Sequence, residues 1–109
     1  MYCLPWILFA SVAATATVPG CQVSQPSPNA GEVDSQASVL SHELFETITD
    51  PDADAWFELN DLALAGNEIA DECVQTFFSY APTVINGHAY EIQPEYSNQA
   101  HACVFRTGE

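Results

Sequence analysis

His42-Glu43-Leu44-Phe45-Glu46 is the segment of this chain best suited to chemistry. On a helix, residues i and i+4 share a face, so His42 and Glu46 can close on one metal ion. Glu43 stands where a base that takes a proton from a metal-bound water would stand. The layout is that of the zinc-hydrolase helix H-E-x-x-H with glutamate in the second ligand place. Glutamate is common on helix surfaces, so the plainer reading is an exposed polar face. A hydrolytic site also needs a third protein ligand and an open position for water. Glu68 and Asp71, at i and i+3, would share a face of a second helix. One could ligate while the other orients a liganding histidine. Here too a solvated acidic face, with Glu72, is the plainer reading. Asp52, ten residues after His42, is a weaker third ligand, because Thr49 stands where a glycine would let the chain turn. His88 and His101 read as structural.

The elements that must position these groups follow from pattern. Residues 1–21 form an apolar segment, expected to be a strand, with Ile7 to Val12 as its apolar run and Pro19-Gly20 as a turn. A signal peptide or a lipidation box at Val18-Pro19-Gly20-Cys21 fits less well, since Met1 to Pro5 carries no Lys or Arg. The run is too short and too broken to span a membrane. Residues 22–34 read as a loop, and residues 35–109 as the region that carries the metal site. Asp34 or Ser35 is the expected N-cap of a helix running to about Thr49. Ala37, Leu40, Leu44 and Ile48 fall on one side of it, and His42, Glu43 and Glu46 on the other. Pro51 stops it, and Asp50 in its last turn opposes the helix dipole unless it binds something. Trp56-Phe57 is a bulky anchor, and the state of Asn60 to Ala65 is ambiguous. Glu68 to Phe78 reads as a second helix. Thr83 to Ile85 and Ala89 to Ile92 flank Asn86-Gly87, a strong hairpin signal. Ala102 to Phe105 reads as a closing strand. The fold class expected is α+β.

Composition narrows the partners. The 109 residues suggest one domain, and an apolar share of 48% argues against disorder. The formal charge is −14, from 15 acidic residues against Arg106 alone. That excludes nucleic acid and anionic membrane surfaces as partners. It leaves cation binding, adaptation to high salt, or a solubilising acidic surface. The four cysteines form no C-x-x-C, and their even count fits an oxidising compartment.

The Glu68–Asp71 spacing resembles the second helix of gluzincin metallopeptidases, the thermolysin-like and neprilysin-like enzymes. There a downstream Glu is the third ligand and an Asp follows it. Those families have His where Glu46 stands, and their Asp comes one residue later. A wider set of segments resembles bacterial secreted proteins that read as zincin-like. These are Ser41 to Pro51, Ala55-Trp56-Phe57, Gly66 to Cys73, and Tyr90 to Asn98 followed by Cys103. The set is similar, more distantly, to the plant EXORDIUM or phosphate-induced-1 family, with its H-E-x-x-E, Asn-Pro, Trp and E-I-A-D-x-C. The resemblance covers roughly residues 39 to 104.

It implies a zincin-like, extracellular metalloprotein, with residues 1–21 as the end of a longer sheet region and the chain as a fragment. The expected activity is hydrolysis of peptide bonds in a peptide or protein substrate. His42, Glu46 and Glu68 would hold Zn²⁺, with Asp71 as the alternative third ligand, and Glu43 would activate the metal-bound water. A shell of two carboxylates and one imidazole weakens the ion as a Lewis acid, which admits Ca²⁺ or Mn²⁺ instead. The competing class is a noncatalytic extracellular binding or signalling module on the same scaffold. A Cys73–Cys103 bridge is expected to tie the second helix to the last strand. Cys3 and Cys21 are expected to stay unpaired.

Overall fold

The computed structural model describes residues 22–23, 26–60, 65–76 and 82–105. Helix α1 spans Gly31–Thr49. A 3₁₀ helix follows at Asp71–Thr76. Strands β1 (Thr83–Ile85) and β2 (His88–Tyr90) form one antiparallel pair, and β3 (Glu95–Ser97) and β4 (Ala102–Val104) form another. The composition is α+β. The expected strand in residues 1–21, the unpaired state of Cys3 and Cys21, and most of Asn60 to Ala65 lie outside the described residues.

Helix α1 has no glycine or proline after its first residue, so nothing interrupts its hydrogen-bond ladder. It starts earlier than Asp34 or Ser35. Ala30 is the N-cap, with extended backbone and no side-chain cap bond. Asp34 instead lies inside the first turn, where its charge complements the helix dipole. Pro51 forces Asp50 out of helical geometry, with φ −143° and ψ 61°, and the helix ends there. Asp50 has the ligand its position asked for. Its Oδ1 accepts the N–H groups of Asp54 and Ala55, each at 2.7 Å.

The faces of α1 are inverted relative to a simple amphipathic helix. Asp34, Ser35, Ser38, His42 and Glu46 are buried, whereas Leu40, Leu44 and Ile48 are 49%, 55% and 65% exposed. Hydrogen bonds, not apolar burial, hold the inner face. Asp34 accepts the backbone N–H of Asn29 and its side-chain amide, at 2.9 and 2.8 Å, and the N–H of Glu91 at 3.2 Å. Burial alone would raise the Asp34 pKa; these donors, Asn29 foremost, outweigh it and hold the carboxyl below its usual value. Asp34→Ala should leave the Asn29 and Glu91 N–H groups without an acceptor, take one of the two acceptors from the Asn29 amide, and cost about 2–4 kcal/mol. Urea denaturation measures this, and a loss below about 1 kcal/mol would show that the network does not secure the helix.

The second helix begins later than Glu68 and, over the described residues, is a 3₁₀ helix; Phe77 and Phe78 lie outside them. Residues before Asp71 are turn, and the 3₁₀ helix begins at Asp71 itself. The cause is local. Asp71 Oδ2 reaches back to accept the Glu68 N–H at 3.2 Å, as one half of a capping box does. Glu68 is therefore the residue capped and does not share a helix face with Asp71. The hairpin is as expected, though β2 stops at Tyr90 and not Ile92. Asn86 and Gly87 both have positive φ, 51° and 81°, as a two-residue turn matching the strand twist requires. The closing strand is β4, and its partner is β3, with Cys103 opposite Tyr96. Cys73 and Cys103 are bridged, with Cα atoms 5.7 Å apart.

Candidate metal centre

The inner face of α1 and the Ala70–Asp71 turn meet around His42. Its Nε2 lies 2.9 Å from Glu46 Oε1 and 3.5 Å from Asp71 Oδ1. One ligand atom from each of the three residues falls within 4.8 Å of the others. Donors bound at about 2.1 Å to one tetrahedral ion stand roughly 3.4 Å apart, so the spacing fits a shared ion. Neither His42 Nε2 nor Glu46 Oε1 is in hydrogen-bonding geometry with a partner, although both are closed to solvent. The two atoms form a buried ion pair, with Asp71 as the second carboxylate beside the imidazole. His42 is 5% exposed and Glu46 4%.

Gln93, which no ligand motif marks, sets the histidine. Its Nε2 donates to the carbonyl of Ala70 at 2.9 Å. A carbonyl cannot donate, so the amide oxygen must face the other way. That oxygen lies 3.1 Å from His42 Nδ1 and accepts its proton. Nδ1 therefore carries a proton, and Nε2 is the nitrogen that faces Glu46 and Asp71. This is the outer-shell bond a liganding histidine needs. The Gln93 backbone N–H also donates to Ser38 Oγ at 3.2 Å, so one residue locks α1, the turn and the histidine together.

With no ion between them, the three groups hold a proton. Burial alone would lower the His42 pKa, but the Asp71 and Glu46 carboxylates outweigh it and hold the imidazole at about 11. Burial raises Asp71, and the bonds from His42 and the Glu68 N–H more than offset it, so its carboxyl is lowered. Glu43 flanks the group. Burial raises its pKa, His42 opposes this, and Glu46 and Asp71 add to it. Glu68 is pushed up to about 7 by burial and then by Glu46, Asp50, Asp71 and Glu43, so it borders the group without being one of the three. Asp52 is exposed in the turn after α1, and His88 and His101 are exposed on the hairpins. A separate cleft of about 440 Å³ is walled by Trp56, Phe57, Tyr96 and Glu72, the last two adjoining Glu95 and Asp71 in sequence. The Trp56 and Tyr96 rings are 6.0 Å apart and tilted.

Gln93 is the residue that motif reasoning missed. The signal available was alternation: Glu91, Gln93 and Ser97 are 2%, 2% and 3% exposed, with Glu95 between them in the same phase. Polar residues recurring at every second place are usually a strand's wet face, and here they are its inner one. No family model matches this chain, and neither a curated protein nor a solved structure is found to be similar to it.

Proposed function

We propose that this chain is a secreted, zincin-like metalloprotein that hydrolyses peptide bonds, with His42, Glu46 and Asp71 holding a divalent ion. The observation that carries the reading is the convergence of His42, Glu46 and Asp71, whose ligand atoms lie within 4.8 Å of one another with His42 and Glu46 nearly fully buried. The disulfide is compatible with an extracellular setting. The motif set resembling secreted zincin-like proteins adds to it. When bound, the ion would polarise a carbonyl and acidify a water. Gln93 would keep the His42 lone pair on the ion side. Glu43, held above its usual pKa beside the group, would accept the water's proton and pass it to the departing amine. The aromatic cleft would receive a substrate side chain.

A noncatalytic binding module is the second reading, and the depth of the centre favours it. At 5% and 4% exposure, His42 and Glu46 leave little room for a substrate carbonyl. Metal content after purification without chelators, followed by casein turnover, separates the two. Turnover with metal supports the hydrolase, and metal without turnover supports the module. Within the hydrolase reading, Glu43→Gln should lower kcat by about 10²–10⁴-fold and keep the metal, whereas His42→Ala should lose the metal. Full activity in Glu43→Gln, or loss of metal as severe as in His42→Ala, would remove Glu43 from the base's role.

A further inference from the structure

We propose that Glu95 is the fourth protein donor of the His42–Glu46–Asp71 centre, which with it takes an oxygen-preferring divalent cation of the Mn²⁺ class. The inference rests on the metal-site reading above and extends its ligand set. Both carboxylate oxygens of Glu95 are closed to solvent, and neither meets a hydrogen-bond partner. A carboxyl in that state destabilises a fold unless a cation or a donor meets it. The charges that act on it are those of His42 and Glu46, both nearly fully buried. The Glu95 carboxyl is thus left with two buried oxygens and no donor, while His42 and Glu46 pair with each other.

Register places Glu95 there independently. The segment that carries it runs along α1 in the same direction. The Glu91 N–H bonds Asp34, and the Gln93 N–H bonds Ser38 one turn further on. The Gln93 side chain then meets His42. One helical turn advances about 5.4 Å, and two residues of extended chain about 6.6 Å, so the two elements keep step. The next alternate residue is Glu95, and the next inward helix position after Ser38 is His42, with Glu46 one turn beyond. The charges acting on the Glu95 carboxyl are those of His42 and Glu46, as this register requires. In the arrangement seen, Glu95 stands outside the three atoms within 4.8 Å of one another, and its flexible side chain would close on a bound ion. One imidazole and three carboxylates make a hard donor set. They fill more positions than tetrahedral zinc would share with a water and suit a cation of six-coordinate habit.

The test is Mn²⁺ binding to the whole chain at pH 7.5, read by the electron paramagnetic resonance of free Mn²⁺ and by calorimetry. The wild type should bind one ion. Glu95→Gln should weaken binding by about 10–100-fold. The metal-free variant should melt at the same temperature as the wild type or higher, because an unpaired buried carboxylate has gone. Wild-type binding unchanged by Glu95→Gln would overturn the fourth donor and leave the three-residue site standing. A lower melting temperature for the metal-free variant would make Glu95 a support of the fold, and would also overturn it. If the wild type takes up neither Mn²⁺ nor Zn²⁺, the underlying metal reading fails and Glu95 falls with it.

Discussion

Raising the pH of the metal-free protein from about 4.5 to 8 should destabilise it, and a saturating divalent cation should reverse the loss. Glu95 carries the first part of the effect. Burial lifts its pKa from 4.5 to about 8; His42 pulls the other way and Glu46 adds to the rise. The folded state therefore holds this proton more tightly than the unfolded chain does. The stabilisation is complete below pH 4.5 and is lost as the pH climbs through about 8. His42 acts in the same direction over a higher window. Its contribution is complete below 6.5 and disappears as the pH rises through about 11. Asp34 and Asp71 have the opposite sign. Both are lowered from 3.8, so what they contribute is present above that value and lost as the pH falls below it. The melting temperature of the metal-free chain should thus peak in mild acid, at about pH 4–5. A charge of −14 steepens the alkaline side by self-repulsion. A bound cation needs a neutral His42 and ionised carboxylates, so binding expels protons and strengthens as the pH rises. At 1,000 times its Kd the ion should add about 4 kcal/mol and flatten the profile. Melting curves from pH 4 to 9, with and without Mn²⁺, decide the matter. A metal-free profile that rises steadily from pH 4.5 to 8 would mean that these protons are not held as described.

Much of the scaffold was legible because its signals are local. The absence of proline and glycine between Glu32 and Thr49, with Pro51 beyond, defines α1 from chain chemistry alone. Asn86-Gly87 defines a hairpin because only such residues take positive φ twice in succession. The pairing of Cys73 with Cys103 was expected and is present. What escaped was set by partners far along the chain. Periodicity separated the Leu40–Leu44–Ile48 side of α1 from the His42–Glu46 side, but it cannot say which turns inward. That depended on Gln93, Glu91 and Asn29, which give the polar side its hydrogen bonds. The start of the expected Glu68–Phe78 helix was placed too early because helical spacing was counted without the Asp71 carboxylate bonding back to Glu68. At the site, His42 and Glu46 were legible from i, i+4 spacing. Asp71 was one of two acids offered from the downstream segment. Glu95 was invisible, since nothing near it in sequence resembles a ligand motif.

Removing the Cys73–Cys103 bridge should be the most damaging change away from the centre. The bond closes a loop of 30 residues, and the chain-entropy relation then gives about 3–4 kcal/mol of stabilisation. That is a large share of the roughly 5–15 kcal/mol by which a domain is usually stable. It weighs more here because, among the described residues, only Val23, Val39, Ala70 and Cys73 are buried apolar positions. The bridge also controls the site. Cys73 lies two residues after Asp71, and Cys103 pairs with Tyr96, the neighbour of Glu95. A second tie, the Tyr96 N–H to the Ile69 carbonyl at 3.2 Å, spans the same two segments but is a single hydrogen bond. Without the disulfide, the turn carrying Asp71 and the strand carrying Glu95 would be held to each other mainly by that bond and by Gln93. The double variant Cys73→Ala, Cys103→Ala should therefore lose about 3–4 kcal/mol in urea denaturation and bind Mn²⁺ more weakly. The stability loss should appear with or without metal, and the affinity loss should appear even under conditions where the variant remains folded. Wild-type stability in the double variant would deny the bridge its role. A destabilised variant that still binds Mn²⁺ with wild-type affinity would show that the centre is assembled by α1 and Gln93 without help from the disulfide.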